Sequence, residues 1–254
     1  MSKPRILYLN LCAGKTVTAS ATDSGYPAVN TTNWKEYELW KASGANTYTL
    51  ELDYGANVAA TALALAGHNG YTCGARFKLE GKVDGGGGYV SVLGYETFAN
   101  NFTLARFFDS VSYRYWKLTI DNNGGANFAP QVGIYYIGTY LEMEQKPETP
   151  LDPDATQDVG NVENSGSGYL LGSVLDHSLR EQSWQFKYLT QSWILNTWIP
   201  FINSYRNQPF FFAWDVGSHP NEVYLMRFKD TRFGAPYEIF FRNLSFSLTG
   251  RKEE

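Results

Sequence analysis

Hydrophobic and polar residues alternate along most of the chain up to residue 142, as they do in half-buried β-strands. In 47–52 every second residue is apolar, and 60–66 is a nearly continuous apolar run. Four consecutive glycines follow Asp84, and they predict a hairpin turn because glycine adopts positive φ without a steric cost. Short strands separated by turn residues, with no amphipathic helix between them, predict a β-sandwich.

The pattern changes after residue 168. Trp184, Phe186 and Tyr188 alternate along one further strand, and apolar residues then recur at helical spacing from Ile194 to Tyr205. Thr190 and Ser192 are candidate N-caps for this helix, and Pro200 inside it predicts a kink or a late helix start. Near the C-terminus the alternation changes parity, which predicts a β-bulge with an extra residue around Arg242 and Asn243. The second half is therefore β with one helix.

A polar segment rich in proline, glycine and serine separates the two halves. Such composition offers no periodic apolar face and is typical of linkers. The predicted organisation is a β-sandwich over 1–143, a linker or arm over 144–168, and a β domain with one helix over 169–254. The predicted fold class is all-β.

Composition narrows the choice of function. Aromatic residues make up 16% of the 254 residues, which excludes a disordered chain, and a net charge of −4 argues against nucleic-acid binding. No apolar stretch approaches the ~20 residues that cross a bilayer, so we expect no membrane insertion and no signal sequence. Cys12 and Cys73 are far apart, and we expect two reduced, buried thiols.

No catalytic motif emerges from the sequence. The three histidines belong to no metal-binding pattern, and Gly14 to Thr16 resembles the end of a phosphate-binding loop whose first glycine is replaced by Leu9. No nucleophile elbow of the G-x-S-x-G type is present. We therefore predict that the chain is not an enzyme and holds no cofactor or metal.

Several aromatic residues lie among small polar residues rather than in alternating strands. A sugar has an apolar face and a rim of hydroxyls, so an aromatic platform beside fixed polar groups is typical of a carbohydrate site. The candidate carbohydrate-binding residues are Trp40, His68, Asn69, Tyr71, Asn101 and Phe102. The alternative is that these aromatic residues pack at core edges or subunit contacts.

The order of motifs in the first half resembles the discoidin family, also called coagulation factor 5/8 type C, of galactose-binding-like jelly rolls. The resemblance covers roughly residues 8–142 and rests on these segments in order: Tyr26 to Asn30, Trp40, Thr49 to Gly55, Ala62 to Gly67, Tyr113 to Leu118 and Gly133 to Leu141. It implies a ligand site in loops at one end of the sandwich. Asn33-Trp34 stands where members often have an Asp-Gly turn associated with calcium, so no calcium site is expected.

The second half resembles the distal tail and minor tail proteins of tailed bacteriophages. The resemblance covers roughly 169–250 and rests on Ser183 to Thr190, the helix ending near Phe201, Pro209 to Trp214 and Tyr224 to Phe228. It implies a structural component of a tail tip or baseplate that forms a homo-oligomeric ring, a trimer or hexamer, against tail-tube and tail-tip hub proteins. The implied location is the virion, after synthesis in the host cytoplasm.

A ring requires large self-complementary surfaces, whose centres are enriched in aromatic residues. The candidate oligomer-interface residues are Trp193, Trp198, Phe210, Phe211 and Phe212, although the same residues would also suit a folded core. Two functions remain open. The first is a tail-tip structural protein whose jelly roll contacts host-surface glycans, and the alternative is a carbohydrate-binding module that attaches to cell-surface sugars.

Overall fold

The computed structural model describes residues 1–122, 128–149, 151–229, 237–238 and 241–253. Strands dominate these residues, which confirms the all-β prediction. The chain divides into two compact units, each described separately below. Unit 1 comprises residues 1–5, 142–219 and 224–254, and unit 2 comprises residues 6–141 and 220–223.

Among its described residues, unit 2 contains nine strands and a short 3-10 helix, Ala28–Thr32. The strands are β1 (Arg5–Asn10), β2 (Thr16–Ala19), β3 (Trp40–Lys41), β4 (Tyr48–Ala66), β5 (Arg76–Lys82), β6 (Val90–Thr97), β7 (Leu104–Asp121), β8 (Gln131–Val132) and β9 (Ile134–Glu142). The main sheet has the order β1-β9-β4-β7-β5-β6, with β2 paired to β4, and β3 pairs β8 in a second small sheet. The predicted hairpin at Asp84 is confirmed, because β5 and β6 pair antiparallel across it.

The core of unit 2 follows the predicted alternation. In β4 the side chains of Tyr48, Leu50 and Leu52 point inward, and the intervening ones are half-buried. They pack against Trp116 and Leu118, which lie opposite on β7 and are fully buried. Both cysteines are also buried and unpaired, as the sequence predicted.

Unit 1 contains the remaining strands and one continuous helical segment. The strands are β10 (Thr156–Asn164), β11 (Leu170–Thr190), β12 (Phe210–Ala213), β13 (Val223–Phe228), β14 (Tyr237–Glu238) and β15 (Phe241–Arg251). Their order is β10-β11-β15-β13-β12, with β14 beside β15. Part of the segment predicted as a linker or arm is therefore a strand, β10, which pairs antiparallel with β11.

The helical segment consists of α1 (Gln191–Trp193), a π-helical turn (Ile194–Trp198) and α2 (Ile199–Tyr205). Thr190 is the N-cap, as predicted, and its side chain accepts a hydrogen bond from the Trp193 backbone N–H. Pro200 neither delays nor ends the helix. Proline has no N–H to donate, and the wider π turn directly before it keeps the helix continuous.

The sequence predicts a β-bulge around Arg242, but the bulge lies in the partner strand, opposite Arg242. Phe186 pairs with Leu244 and Leu189 with Arg242, so two residues of β11 face one of β15. The extra residue therefore belongs to β11. Tyr188 sits in this bulge with φ of 59°, the only positive φ of a non-glycine residue among those described. The parity change arises because the Phe241 side chain points outward, against the ring of Tyr188.

Candidate functional site

Three loops of unit 2 come together beside the ends of β4, β5, β6 and β7. We call them the loop cluster: residues 67–75, residues 98–103, and Asn122 with 128–130, the described part of the third loop. Each loop presents one exposed aromatic side chain. The exposed fractions are 61% for Tyr71, 39% for Phe102 and 56% for Phe128.

Asn101 joins the first two loops. Its side-chain oxygen accepts hydrogen bonds from the backbone N–H groups of Tyr71 (3.1 Å) and Thr72 (3.2 Å). Its amide nitrogen donates to the Thr72 hydroxyl at 2.7 Å. One asparagine side chain thus fixes the backbone that carries Tyr71 next to the backbone that carries Phe102.

Asn69 joins the first loop to the third in the same way. Its amide nitrogen donates to the Ala129 carbonyl, and its oxygen accepts from the Gln131 backbone N–H, both at 2.9 Å. The Phe128 carbonyl accepts from the Asn122 side chain at 3.4 Å. The polar candidates Asn69 and Asn101 therefore hold the loops together, and a ligand would meet loops whose backbone is already fixed.

Buried rings support the loops from beneath. The His68 ring is 4% exposed and lies 4.7 Å from the ring of Phe98, which in turn lies 4.8 Å from Phe77. A Cβ on Gly70 would overlap the Phe98 ring, so only glycine fits at this position. His68 therefore acts on a ligand only through the loops it supports.

His68 is uncharged at neutral pH. Burial lowers the pKa of His68 to about 4, opposed by a smaller effect of the Phe102 backbone. Its Nδ1 accepts a hydrogen bond of 3.4 Å from the Gly70 backbone N–H, which requires the neutral imidazole. The same ring thus contacts the backbones of both loops that carry Tyr71 and Phe102.

Trp40, the remaining carbohydrate candidate, is fully buried in the core of unit 2. Its indole N–H is shared between the Ala21 carbonyl and the Thr22 hydroxyl, each at 3.2 Å. The ring offers no exposed face to a ligand. Of the predicted residues, the structure brings together His68, Asn69, Tyr71, Asn101 and Phe102 in the loop cluster, and it leaves Trp40 out.

Phe128 is the site residue that the sequence reasoning missed. It follows the small polar stretch 122–127, which is the same composition that singled out Tyr71 and Phe102. That signal was therefore present in the sequence.

The described residues of the loop cluster present their exposed rings as a surface platform. A crevice beside it, lined in part by Thr97, Asn100 and Arg106, has a volume of about 10 Å³. That volume holds about one water molecule. A ligand at the loop cluster would lie across the exposed rings.

None of the three loops contains Asp, Glu, Lys or Arg, and this holds over the full span 122–130. The nearest charged residues along the chain are engaged in ion pairs. Arg76 pairs with Asp121 at 2.8 Å, and Arg106 pairs with Glu96 at 2.6 Å. The loops therefore carry no Asp, Glu, Lys or Arg of their own, and the charged residues next to them along the chain are paired.

The aromatic residues proposed for an oligomer interface lie in or against the core of unit 1. Trp198 is 1% exposed and stacks on Phe246 at 5.3 Å, and the half-buried Trp193 stacks on Trp198 at 6.0 Å. Phe210, Phe211 and Phe212 are fully buried. The Phe210 ring packs on Phe228 and the Phe212 ring on Trp184, both within unit 1, so these two rings offer no surface to a second subunit in this conformation.

Two further observations concern metal binding and membrane-spanning helices. Within the described ranges, no group of three or more His, Cys, Asp or Glu is arranged to hold a metal ion. Likewise, none of the helices in the described part has the length and hydrophobicity to cross a bilayer.

Comparison with known proteins found no matching family model and no matching curated protein. Among solved structures, chitosan-binding module 1 of a chitosanase/glucanase from Paenibacillus sp. IK-5 is 14% identical, with a TM-score of 0.44, covering 51% of this chain and 98% of that one. A pectin-binding carbohydrate-binding module is 20% identical, with a TM-score of 0.41 and coverages of 49% and 91%. The lectin domain of lectinolysin, complexed with Lewis B antigen, is 13% identical, with a TM-score of 0.43 and coverages of 52% and 96%.

Proposed function

We propose that the chain is a carbohydrate-binding protein whose site is the loop cluster of unit 2. The observation that carries this proposal is the exposure of Tyr71, Phe102 and Phe128 on three loops joined by the side chains of Asn69 and Asn101. The apolar face of a sugar ring packs on an aromatic side chain, and its hydroxyls hydrogen-bond to neutral polar groups. The loop cluster supplies the exposed rings, and further neutral polar groups come from other side chains of the same loops, such as the exposed Thr72.

The fixed backbone of the loops favours binding. A ligand that must order a mobile loop loses affinity to the entropy of ordering, whereas a site held in place beforehand avoids this loss. Here the hydrogen bonds of Asn69 and Asn101 and the buried rings of His68 and Phe98 hold the loops without a ligand.

The uncharged loops favour an uncharged sugar. Recognition of uronic acids, sialic acids or free amino sugars would use opposite charges, and none of the three loops supplies one. Neutral hydrogen bonds and ring stacking are also little affected by salt, because ionic screening acts on charges. We therefore assign neutral glycans as the ligand class.

A glycan array containing neutral, acidic and amino-sugar oligosaccharides tests the proposal, followed by calorimetric titration of the best soluble ligand at low and high salt. We expect neutral glycans to bind with little salt dependence. Tyr71→Ala and Phe102→Ala should each weaken binding about tenfold, corresponding to the ~1–1.5 kcal/mol of an aromatic contact. The matched control is Tyr169→Ala, because Tyr169 is 75% exposed and lies in unit 1. Absence of binding across the neutral panel, or an equal loss in the control, would contradict the proposal.

A second candidate function is the structural role in a bacteriophage tail tip, as a homo-oligomer against tail-tube and hub proteins. One observation favours assembly: a β-hairpin of unit 1 exposes several apolar side chains. The two functions are compatible, since an assembled virion protein also has surfaces free for glycans. Assembly is tested through the hairpin, as follows.

A further inference from the structure

Strands β10 and β11 form a hairpin that extends beyond the sheet of unit 1. Its register runs from Thr156 opposite Arg180 to Asn164 opposite Leu170. Strand β15 pairs with β11 only from Leu179 onward. Among the described residues, the stretch 170–178 therefore has β10 as its only strand neighbour. At about 3.3 Å per residue, this ribbon is roughly 30 Å long.

The ribbon exposes large apolar side chains on both faces. Those more than 60% exposed are Val162, Tyr169, Leu170, Leu171, Val174 and Leu175. The register places Val162, Leu170 and Leu175 on one face and Val174 on the other. A two-stranded ribbon with solvent on both sides is marginally stable at best, and further strands are what normally stabilise it.

The outer edge of β10 is open to another strand. It ends the strand order of unit 1 among the described residues, and it contains neither lysine nor proline over 156–164. Lysine and proline on an edge strand are two of the devices that prevent edge-to-edge pairing, and β10 has neither. The backbone of β10 is thus available for an additional antiparallel neighbour.

We propose that this neighbour is β10 of a second copy of the chain, paired antiparallel about a two-fold axis at Asn161. A two-fold contact uses the same surface on both copies, so no separate complementary site is required. The inference rests on the second candidate function, assembly, to which it adds a two-fold contact that joins chains in pairs; closing a ring uses a further interface. It is independent of glycan binding.

The distribution of charge along β10 permits this register and disfavours one of its neighbours. Asp158 would lie opposite Asn164 of the second copy, and Glu163 opposite its Val159, so no two carboxylates face each other. Moving the strands by one residue, so that Asn161 faces Gly160, would bring Asp158 opposite Glu163 and cause repulsion. In the register centred on Asn161, Val162 also lies beside Gly160 of the second copy, which has no side chain to obstruct it.

Two lysine substitutions on the same exposed strand test the register. Asn161→Lys places two lysines opposite each other at the two-fold axis, whereas Asn164→Lys, the matched control, places a lysine opposite Asp158 of the second copy. Both positions are exposed, so both variants should keep the native circular dichroism and melting temperature. Analytical ultracentrifugation of the full chain over a concentration series gives the self-association constant.

We expect the unmodified chain to self-associate, Asn161→Lys to weaken association at least tenfold, and Asn164→Lys to leave it unchanged or tighter. Equal weakening by both variants would overturn the register, and an oligomer that neither variant affects would overturn the hairpin as the contact. A strictly monomeric unmodified chain would overturn the inference, and ultracentrifugation of that monomer mixed with tail-tube protein would then test the assembly function separately. None of these outcomes depends on the glycan array.

Discussion

The loop cluster and the β10–β11 hairpin both expose apolar side chains, but their backbones are held in different ways. Buried rings and asparagine side chains hold the loops from within unit 2. The outer part of the hairpin is held by its own ladder of hydrogen bonds. Exposed rings on a fixed backbone suit a small ligand, whereas an apolar ribbon with an open edge suits another strand. The difference is why we assign recognition to one region and assembly to the other.

Removing a buried ring beneath the loops should cause the largest loss of stability and of glycan binding among these predictions. Phe98→Ala deletes a buried ring that packs between His68 and Phe77, and we expect a loss of about 3–5 kcal/mol in the free energy of unfolding. Glycan binding should be lost with it. Leu170→Ser on the hairpin should change the free energy of unfolding by less than about 0.5 kcal/mol, because its side chain is 64% exposed. Urea denaturation measures both, and similar losses in the two variants would remove the distinction between the regions.

Lowering the pH should destabilise the protein, because His68 becomes protonated. Its pKa is about 4 in the folded chain, against 6.5 for an ordinary solvated histidine, so between these pH values the unfolded chain binds more protons. Stability therefore falls as the pH is lowered from about 6.5 to 4, by about 3 kcal/mol from this group. His68→Gln removes the titrating group, and its stability should fall less steeply over that window. Thermal denaturation at several pH values compares the two slopes, and parallel curves would show that His68 does not titrate as we describe.

Much of the fold could be predicted from the sequence. The alternation of apolar and polar residues along a strand directly indicates which side chains are buried. The inward positions of β4 and the N-cap at Thr190 follow from local pattern alone. The outward position of Phe241 could not be predicted, because it depends on a bulge in the partner strand around Tyr188. Register between strands is a tertiary property, and a single sequence does not display it.

The sequence indicates which residue types form the site, but it does not indicate which of these side chains are exposed. Tyr71 and Phe102 stand out as aromatic residues among small polar neighbours, and Phe128 carries the same signal. Trp40 and His68 have similar surroundings in sequence, yet both lie in the interior. Trp40 belongs to the short strand β3, whose pairing with β8 brings together residues about 90 positions apart. No local pattern reports such a contact.

The hairpin is the opposite case, because it exposes apolar side chains in a segment whose sequence appears polar. The sequence around its first strand appears polar, because apolar residues are spaced among glycine, serine, asparagine and acidic residues. Strand β10 therefore lies within the segment 144–168 that the composition predicts as a linker or arm, whereas β11 lies in the predicted β domain. The Phe210 to Phe212 run appears as a candidate surface but is fully buried in unit 1. Apolar content alone does not separate a core strand from an interface, since both require apolar side chains and differ in what covers them.

The central claim, that the loop cluster binds a neutral sugar, is tested most directly by mapping the contact. Isotope-labelled protein would be titrated with the tightest neutral oligosaccharide from the array while amide chemical shifts are recorded by NMR. We predict that the largest shifts fall within 67–75, 98–103 and 122–130, with little change in the hairpin residues 156–178. Saturable binding with the largest shifts elsewhere in the chain would contradict the account.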